Sequence, residues 1–126
     1  MTRPNEPHLN SNSVHTDEPD MEPLYNIVVE CIEDSNRWFP QAVNSGIPGM
    51  TICMAGELGE FANMVKKITR GSLNPDDPTV MHALRLELVD LFIYLCNTAA
   101  MLQLDLAATY KTKREFNEAR FGVKIV

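Results

Sequence analysis

Two short acidic segments carry the most chemistry in this chain, Glu57-Leu58-Gly59-Glu60 and Glu87-Leu88-Val89-Asp90. In a helix, acids three residues apart lie about 60° from one another on one face. With Glu57 as origin, Phe61 and Ile68 fall within about 40°, Leu58 and Val65 within about 100°, and Glu60 near about −60°. The second segment repeats the pattern. From Glu87, the residues Leu84, Leu88, Leu91, Leu95 and Leu102 fall between roughly 40° and 100°, with Asp90 near roughly −60°. Both helices thus set an acid pair at the same border of an apolar stripe, which predicts that the two pairs face each other. Four carboxylates gathered beside a core cannot all stay ionised and unpaired. Some must protonate, or cations must neutralise them. A donor set made only of carboxylate oxygen suits Mg²⁺ or Mn²⁺ better than zinc or copper. An isolated E-x-x-E is ordinarily a solvated surface feature; the matched pair beside matching stripes carries the metal reading.

Cations accompany the acids. Lys67 lies seven residues after Glu60 and shares its face, with Lys66 and Arg70 on the flanks. Further along, Lys113, Asn117 and Arg120 follow i, i+4, i+7 spacing and form one polar stripe. Such a stripe is either a solvated helix face or a set of phosphate ligands. Tyr94 and Asn97 continue the acid face beyond Asp90, as core polar groups or as ligand contacts. Trp38 and Phe39 are core or staple residues, or an aromatic pair able to stack on a base.

Four helical segments must position these groups. The first spans about 23–37, with Pro23 in the first turn and Ile27, Val28, Cys31 and Ile32 on one side. Trp38-Phe39-Pro40 ends it, and Gly46-Ile47-Pro48-Gly49 reads as a turn. The second runs from about Thr51 to Arg70, with Gly71 as the stop. A polar loop, 71–78, leads to the third, about Thr79 to Gln103. Asp105 is the N-cap of the fourth, about Leu106 to Arg120, which Gly122 closes. Strand-like alternation is confined to 123–126. Short connections between the last three helices predict an all-α fold, an antiparallel four-helix-type bundle.

The first 23 residues differ in character. They hold four of the eight prolines and five acids against one base, and their apolar residues are isolated. They read as a disordered or extended acidic arm ahead of a single domain over 24–126. The length of 126 residues fits one domain with one core. A net charge of −6 opposes non-specific binding to duplex nucleic acid. No apolar run approaches a membrane span, and no signal-peptide pattern opens the sequence. Cys31, Cys53 and Cys96 are odd in number and widely spaced, which argues against a disulfide scaffold and a zinc site and for buried thiols in a reducing, cytoplasmic setting.

The order and spacing of these segments resemble the MazG-like family of all-α nucleoside triphosphate pyrophosphohydrolases. The resemblance rests on Arg37-Trp38-Phe39-Pro40, on GELGEFANMVKKITRG at 56–71, on ELVDLFIYL at 87–95 and on LDLAATYKTKREFNEARFG at 104–122. It covers roughly residues 30–122; the acidic arm has no counterpart in it. It implies hydrolysis of a nucleoside triphosphate to the monophosphate and pyrophosphate with Mg²⁺, for which Mn²⁺ can substitute. Glu57, Glu60, Glu87 and Asp90 would then be the metal-ligating and catalytic acids. Lys67, Lys113, Asn117 and Arg120 would hold phosphate, and Trp38 and Phe39 would meet the base. It further implies a homodimer or homotetramer with sites near subunit contacts. Deoxynucleotides, and pyrimidines such as dCTP or dUTP, are the favoured substrates. The competing expectation is a non-catalytic nucleotide-binding sensor or adaptor. A di-iron bundle is disfavoured because no E-x-x-H pair is present, and a Walker-type NTPase because no G-x-x-x-x-G-K-S/T occurs.

Overall fold

In a computed structural model the described residues, 23–122, are all-helical: α1 Leu24–Trp38, α2 Pro40–Asn44, α3 Gly46–Thr69, α4 Pro78–Met101 and α5 Leu106–Phe121. The acidic arm, apart from Pro23, and the alternating residues 123–126 lie outside this range.

Four of the helices stand where the pattern places them, and their ends follow local chemistry. Asp77 caps α4 by accepting from the Thr79 amide at 2.9 Å, and Asp105 caps α5 by accepting from the Ala108 amide at 3.1 Å. At the end of α3, Gly71 is left-handed (φ 80°), with its amide on the Ile68 carbonyl and the Ser72 amide on the Lys67 carbonyl. This is a Schellman stop, and Gly71 supplies the positive φ. α4 ends in the same way without a glycine. Gln103 takes φ 54°, its amide bonds Ala100 O, and the Leu104 amide bonds Ala99 O. The helix therefore stops at Met101, two residues before the expected end.

Two expectations need correction. The first is the segment 40–50, expected to be a break and a turn. Instead Pro40 opens the short helix α2, and α3 begins at Gly46, five residues early. Pro48 sits in the first turn of α3, where its missing N–H has no partner to lose. The second is the four-helix bundle. α3 and α4 form an antiparallel hairpin, because Glu57 meets Glu87 and Met54 meets Thr98 at increasing distance from the connecting loop. α1 packs on α4, and α2 closes against α1 and α3. α5, however, leaves α4 at 91° and packs against α1 rather than against the hairpin. The break at Gln103 is what turns the chain.

The apolar stripes are only partly covered. Met50, Cys96 and Ala99 are the fully buried apolar residues among those described, while eighteen large hydrophobic residues are exposed. Leu58, Leu88, Leu95 and Leu102 are among the exposed ones, although their stripe was expected to form the core. α3 and α4 instead meet through the faces that carry the acids. No single helix among the described residues is long and apolar enough to cross a membrane. All three cysteines are free; Cys96 is buried, and Cys31 and Cys53 are half-buried rather than fully so. Burial pushes the Cys96 thiol up to about 12, with Cys31 beside it adding to the shift, so it is a poor nucleophile.

Candidate metal centre and adjoining cavity

Glu57 on α3 and Glu87 and Asp90 on α4 each bring one carboxylate oxygen to within 4.8 Å of the others. The convergence follows from the antiparallel hairpin. Glu57 stands twelve residues before the end of α3, and Asp90 twelve residues after the start of α4. The two E-x-x-E/D segments therefore lie at the same height, as their spacing predicts. Their side chains point between the helices rather than along the border of a core. Oε2 of Glu57 and Oε2 of Glu87 are buried and have no hydrogen-bond partner.

Electrostatics register the crowding. The Glu57 carboxyl is raised to about 7, first by burial, then by the close approach of the Glu87 carboxyl and by the charges of Glu60 and Asp90. Glu87 is also raised, first by its contact with Glu60 and then by burial. Like charges confined together favour the protonated forms. Glu60 is exposed and stands outside the converging trio, at its rim beside Glu87. Two orphaned buried carboxylate oxygens within an all-oxygen donor set fit a hard divalent cation: it would satisfy both atoms and cancel the repulsion.

A cavity of about 160 Å³ adjoins the acids, with Glu57 and Asp90 in its wall. Its apolar lining comes from Phe39, Ala42 and Val43 at the α2 end and from Met50 and Ile93. Ser35, Tyr94 and Asn97 supply the polar lining. Tyr94 is shifted up, chiefly by burial and then by nearby Cys53, Glu57 and Asp90, so it remains a neutral donor beside the acids.

Of the expected base contacts, Phe39 lines this cavity and Trp38 does not. Trp38 is 62% exposed and borders an adjoining groove of about 360 Å³ with Ile27, Cys31 and Phe92, which shares Ser35, Phe39 and Ile93 with the cavity. Of the expected phosphate ligands, Lys67 is half-buried in the last turn of α3, on the acid-bearing helix. Lys113, Asn117 and Arg120 are carried on α5, away from the acids. From Asp90 to the end of α4 is eleven residues, about 16 Å along the axis, before the 91° turn. Lys113 Nζ lies 4.8 Å from the Phe116 ring centroid, and Arg120 Cζ 5.3 Å from that of Phe121. Among the described residues, the fold of one chain does not bring this stripe to the acid cluster.

Sequence reasoning missed Ser35 and the α2 wall. Ser35 had a signal: it follows Val28, Cys31 and Ile32 at +7, +4 and +3, a polar residue in the middle of an apolar stripe. It is 3% exposed and returns its hydroxyl proton to Cys31 O at 2.7 Å. No protein-family model, curated protein or solved structure matches the chain.

Proposed function

We propose that this protein is a Mg²⁺-dependent nucleoside triphosphate pyrophosphohydrolase of the MazG-like type, converting a (d)NTP and water to the (d)NMP and pyrophosphate. The observation that carries the reading is the convergence of Glu57, Glu87 and Asp90 with two buried, unpartnered carboxylate oxygens. Such a cluster repels a triphosphate of about four negative charges unless divalent cations lie between them. Mg²⁺ held there, or Mn²⁺ in its place, would supply Lewis-acid polarisation of the phosphate and activation of water.

The chain's own residues have distinct tasks in this reading. Glu57, Glu87 and Asp90 would hold the cation. Glu60, the one acid at the rim, orients the attacking water and takes its proton. The water oxygen bonds to the α-phosphorus as the α–β bridging P–O bond breaks, and the bridging oxygen leaves with pyrophosphate. Lys67 follows the charge that builds on the leaving group. Phe39 contacts the base in the cavity beside the acids, and a deoxynucleotide with a pyrimidine base, dCTP or dUTP, is the preferred substrate.

The working form is a homodimer or homotetramer. The support is the exposed apolar surface, including Leu88 and Leu95 on α4 and Leu102 at its C-cap, at seven-residue spacing. In such an assembly Lys113, Asn117 and Arg120 reach phosphate across a subunit contact. A panel of NTPs and dNTPs with Mg²⁺, with products separated, tests the reaction. The reading expects monophosphate and pyrophosphate in equal amounts. Diphosphate with phosphate, or no turnover at high enzyme concentration, rejects it; nucleotide binding without product would instead identify a sensor.

A further inference from the structure

Asn97 is 3% exposed and stands in the wall of the cavity beside the acids. Its Nδ2 donates to Ser35 Oγ at 2.8 Å and to Ile93 O at 2.9 Å. The Ile93 carbonyl can only accept. Ser35 Oγ has committed its single proton to Cys31 O, so toward Asn97 it too can only accept. The orientation of the amide is therefore fixed by chemistry, and both Nδ2 hydrogens are used. Oδ1 keeps its lone pairs, with no donor among the hydrogen bonds of the described residues. Unlike the Glu57 and Glu87 Oε2 atoms, this oxygen is not sealed from solvent, and its residue lines the cavity, so it is free to accept from a group that enters there.

The size of the cavity limits what can pair with it. A void near 150 Å³ takes up one benzene ring, so about 160 Å³ has room for a single six-membered ring. Phe39 lines the same space and offers an aromatic surface. Glu57 and Asp90, in the same wall, fix the direction in which the rest of the ligand extends, toward the metal centre.

We infer that Asn97 Oδ1 reads the base of the bound nucleotide, accepting a hydrogen bond from an N–H on the pairing edge of a pyrimidine, with Ser35 and the Ile93 carbonyl holding the amide in that orientation. This rests on the reading of the acids as a nucleotide-hydrolysing centre. Cytosine presents its amino group and uracil its ring N–H; a 2-pyrimidinone base has the same ring and neither donor.

The test compares dCTP, dUTP, the 2-pyrimidinone deoxynucleotide, dATP and dGTP with the wild type, Asn97→Ala and Ser35→Ala. In the wild type, kcat/KM for dCTP or dUTP exceeds that for the 2-pyrimidinone nucleotide and for both purines by at least about tenfold. Asn97→Ala reduces that ratio to below about threefold, through KM rather than kcat. Ser35→Ala, which frees the amide to turn, moves the ratio the same way by a smaller amount. Equal turnover of purines and pyrimidines, equal use of the 2-pyrimidinone nucleotide, or a uniform loss across all bases in Asn97→Ala overturns the assignment. Should Asn97→Ala not fold, the wild-type ratio against 2-pyrimidinone still decides it. Should no triphosphate be hydrolysed, the proposed reaction falls, and the assignment of Asn97 is then judged by calorimetric binding of dCMP, dUMP and the 2-pyrimidinone monophosphate in the presence of Mg²⁺.

Discussion

Glu57 and Glu87 face each other from adjacent antiparallel helices, and each keeps one carboxylate oxygen, Oε2, buried without a hydrogen-bond partner. A pair of this kind destabilises a folded protein once both acids are ionised, unless something positive lies between them.

The stability of the metal-free protein should therefore depend on pH with an unusual sign. Glu57 has its folded pKa raised to about 7, above its ordinary value of 4.5. Between those values the folded state binds more protons than the unfolded one, so stability falls as pH rises through this window. Glu87, raised as well, acts in the same direction. Thermal unfolding in chelator should show Tm decreasing from pH 5 to pH 8. Added Mg²⁺ should flatten the decrease, since the cation favours the ionised carboxylates.

Glu60 and the converging trio should separate in their effects. Glu60→Gln removes an exposed acid at the rim, and should lower turnover by about 100-fold while cation affinity changes by less than about tenfold. Glu87→Gln should lower both together. Parallel kinetics and Mn²⁺ titrations distinguish these outcomes.

Leu95 is 40% exposed on α4 between Leu88 and Leu102, which are 52% and 58% exposed. If this seam is covered by a second copy, Leu95→Glu should shift sedimentation from dimer or tetramer to monomer. Hydrolysis should fall with it, because the α5 cations would then lack an acid centre within reach. An unchanged sedimentation profile would count against assembly through this face.

Gln103 holds φ 54° at the position after the α4 cap where glycine is usual. A left-handed non-glycine residue costs about 1–2 kcal/mol. Glycine recovers most of this and loses about 0.4–1 kcal/mol through its freer unfolded chain. Gln103→Gly should stabilise the protein by roughly 0.5–1 kcal/mol, measured by urea unfolding. Gly49→Ala should do the opposite: an added Cβ would collide with Oγ and Cβ of Ser45 at the α2–α3 junction and could not fit without a shift.

Where the sequence was legible, a single physical rule was enough. The 3.6-residue period located α1, α3, α4 and α5. Asp105, Gly71 and Gly122 marked their ends, and of the four acids whose matched spacing set them facing, Glu57, Glu87 and Asp90 converge while Glu60 stays exposed at the rim. Two features depend on tertiary packing and escaped those rules. Proline and glycine at 40, 46, 48 and 49 read as a break, yet proline is at home in a helical first turn, and Gly46 supplies the positive φ that starts α3. The direction of α5 was hidden because nothing in 102–105 announces a 91° turn; Gln103, not a glycine, makes it. The same gap explains why Lys113, Asn117 and Arg120 share a face as expected and yet stand away from the acids of their own chain. Asn97 and Tyr94 were visible as extensions of the acid face, but only the bonds to Ser35 and Ile93 show which atom of Asn97 is free.

The most direct measurement is a calorimetric titration of Mn²⁺ or Mg²⁺ at pH 8 into the wild type and into the Glu57→Gln, Glu87→Gln double variant. The account predicts saturable binding by the wild type that is lost in the double variant, while the variant unfolds at or above the wild-type temperature in chelator. Absence of saturable binding to the wild type, or equally tight binding to a folded double variant, would contradict it.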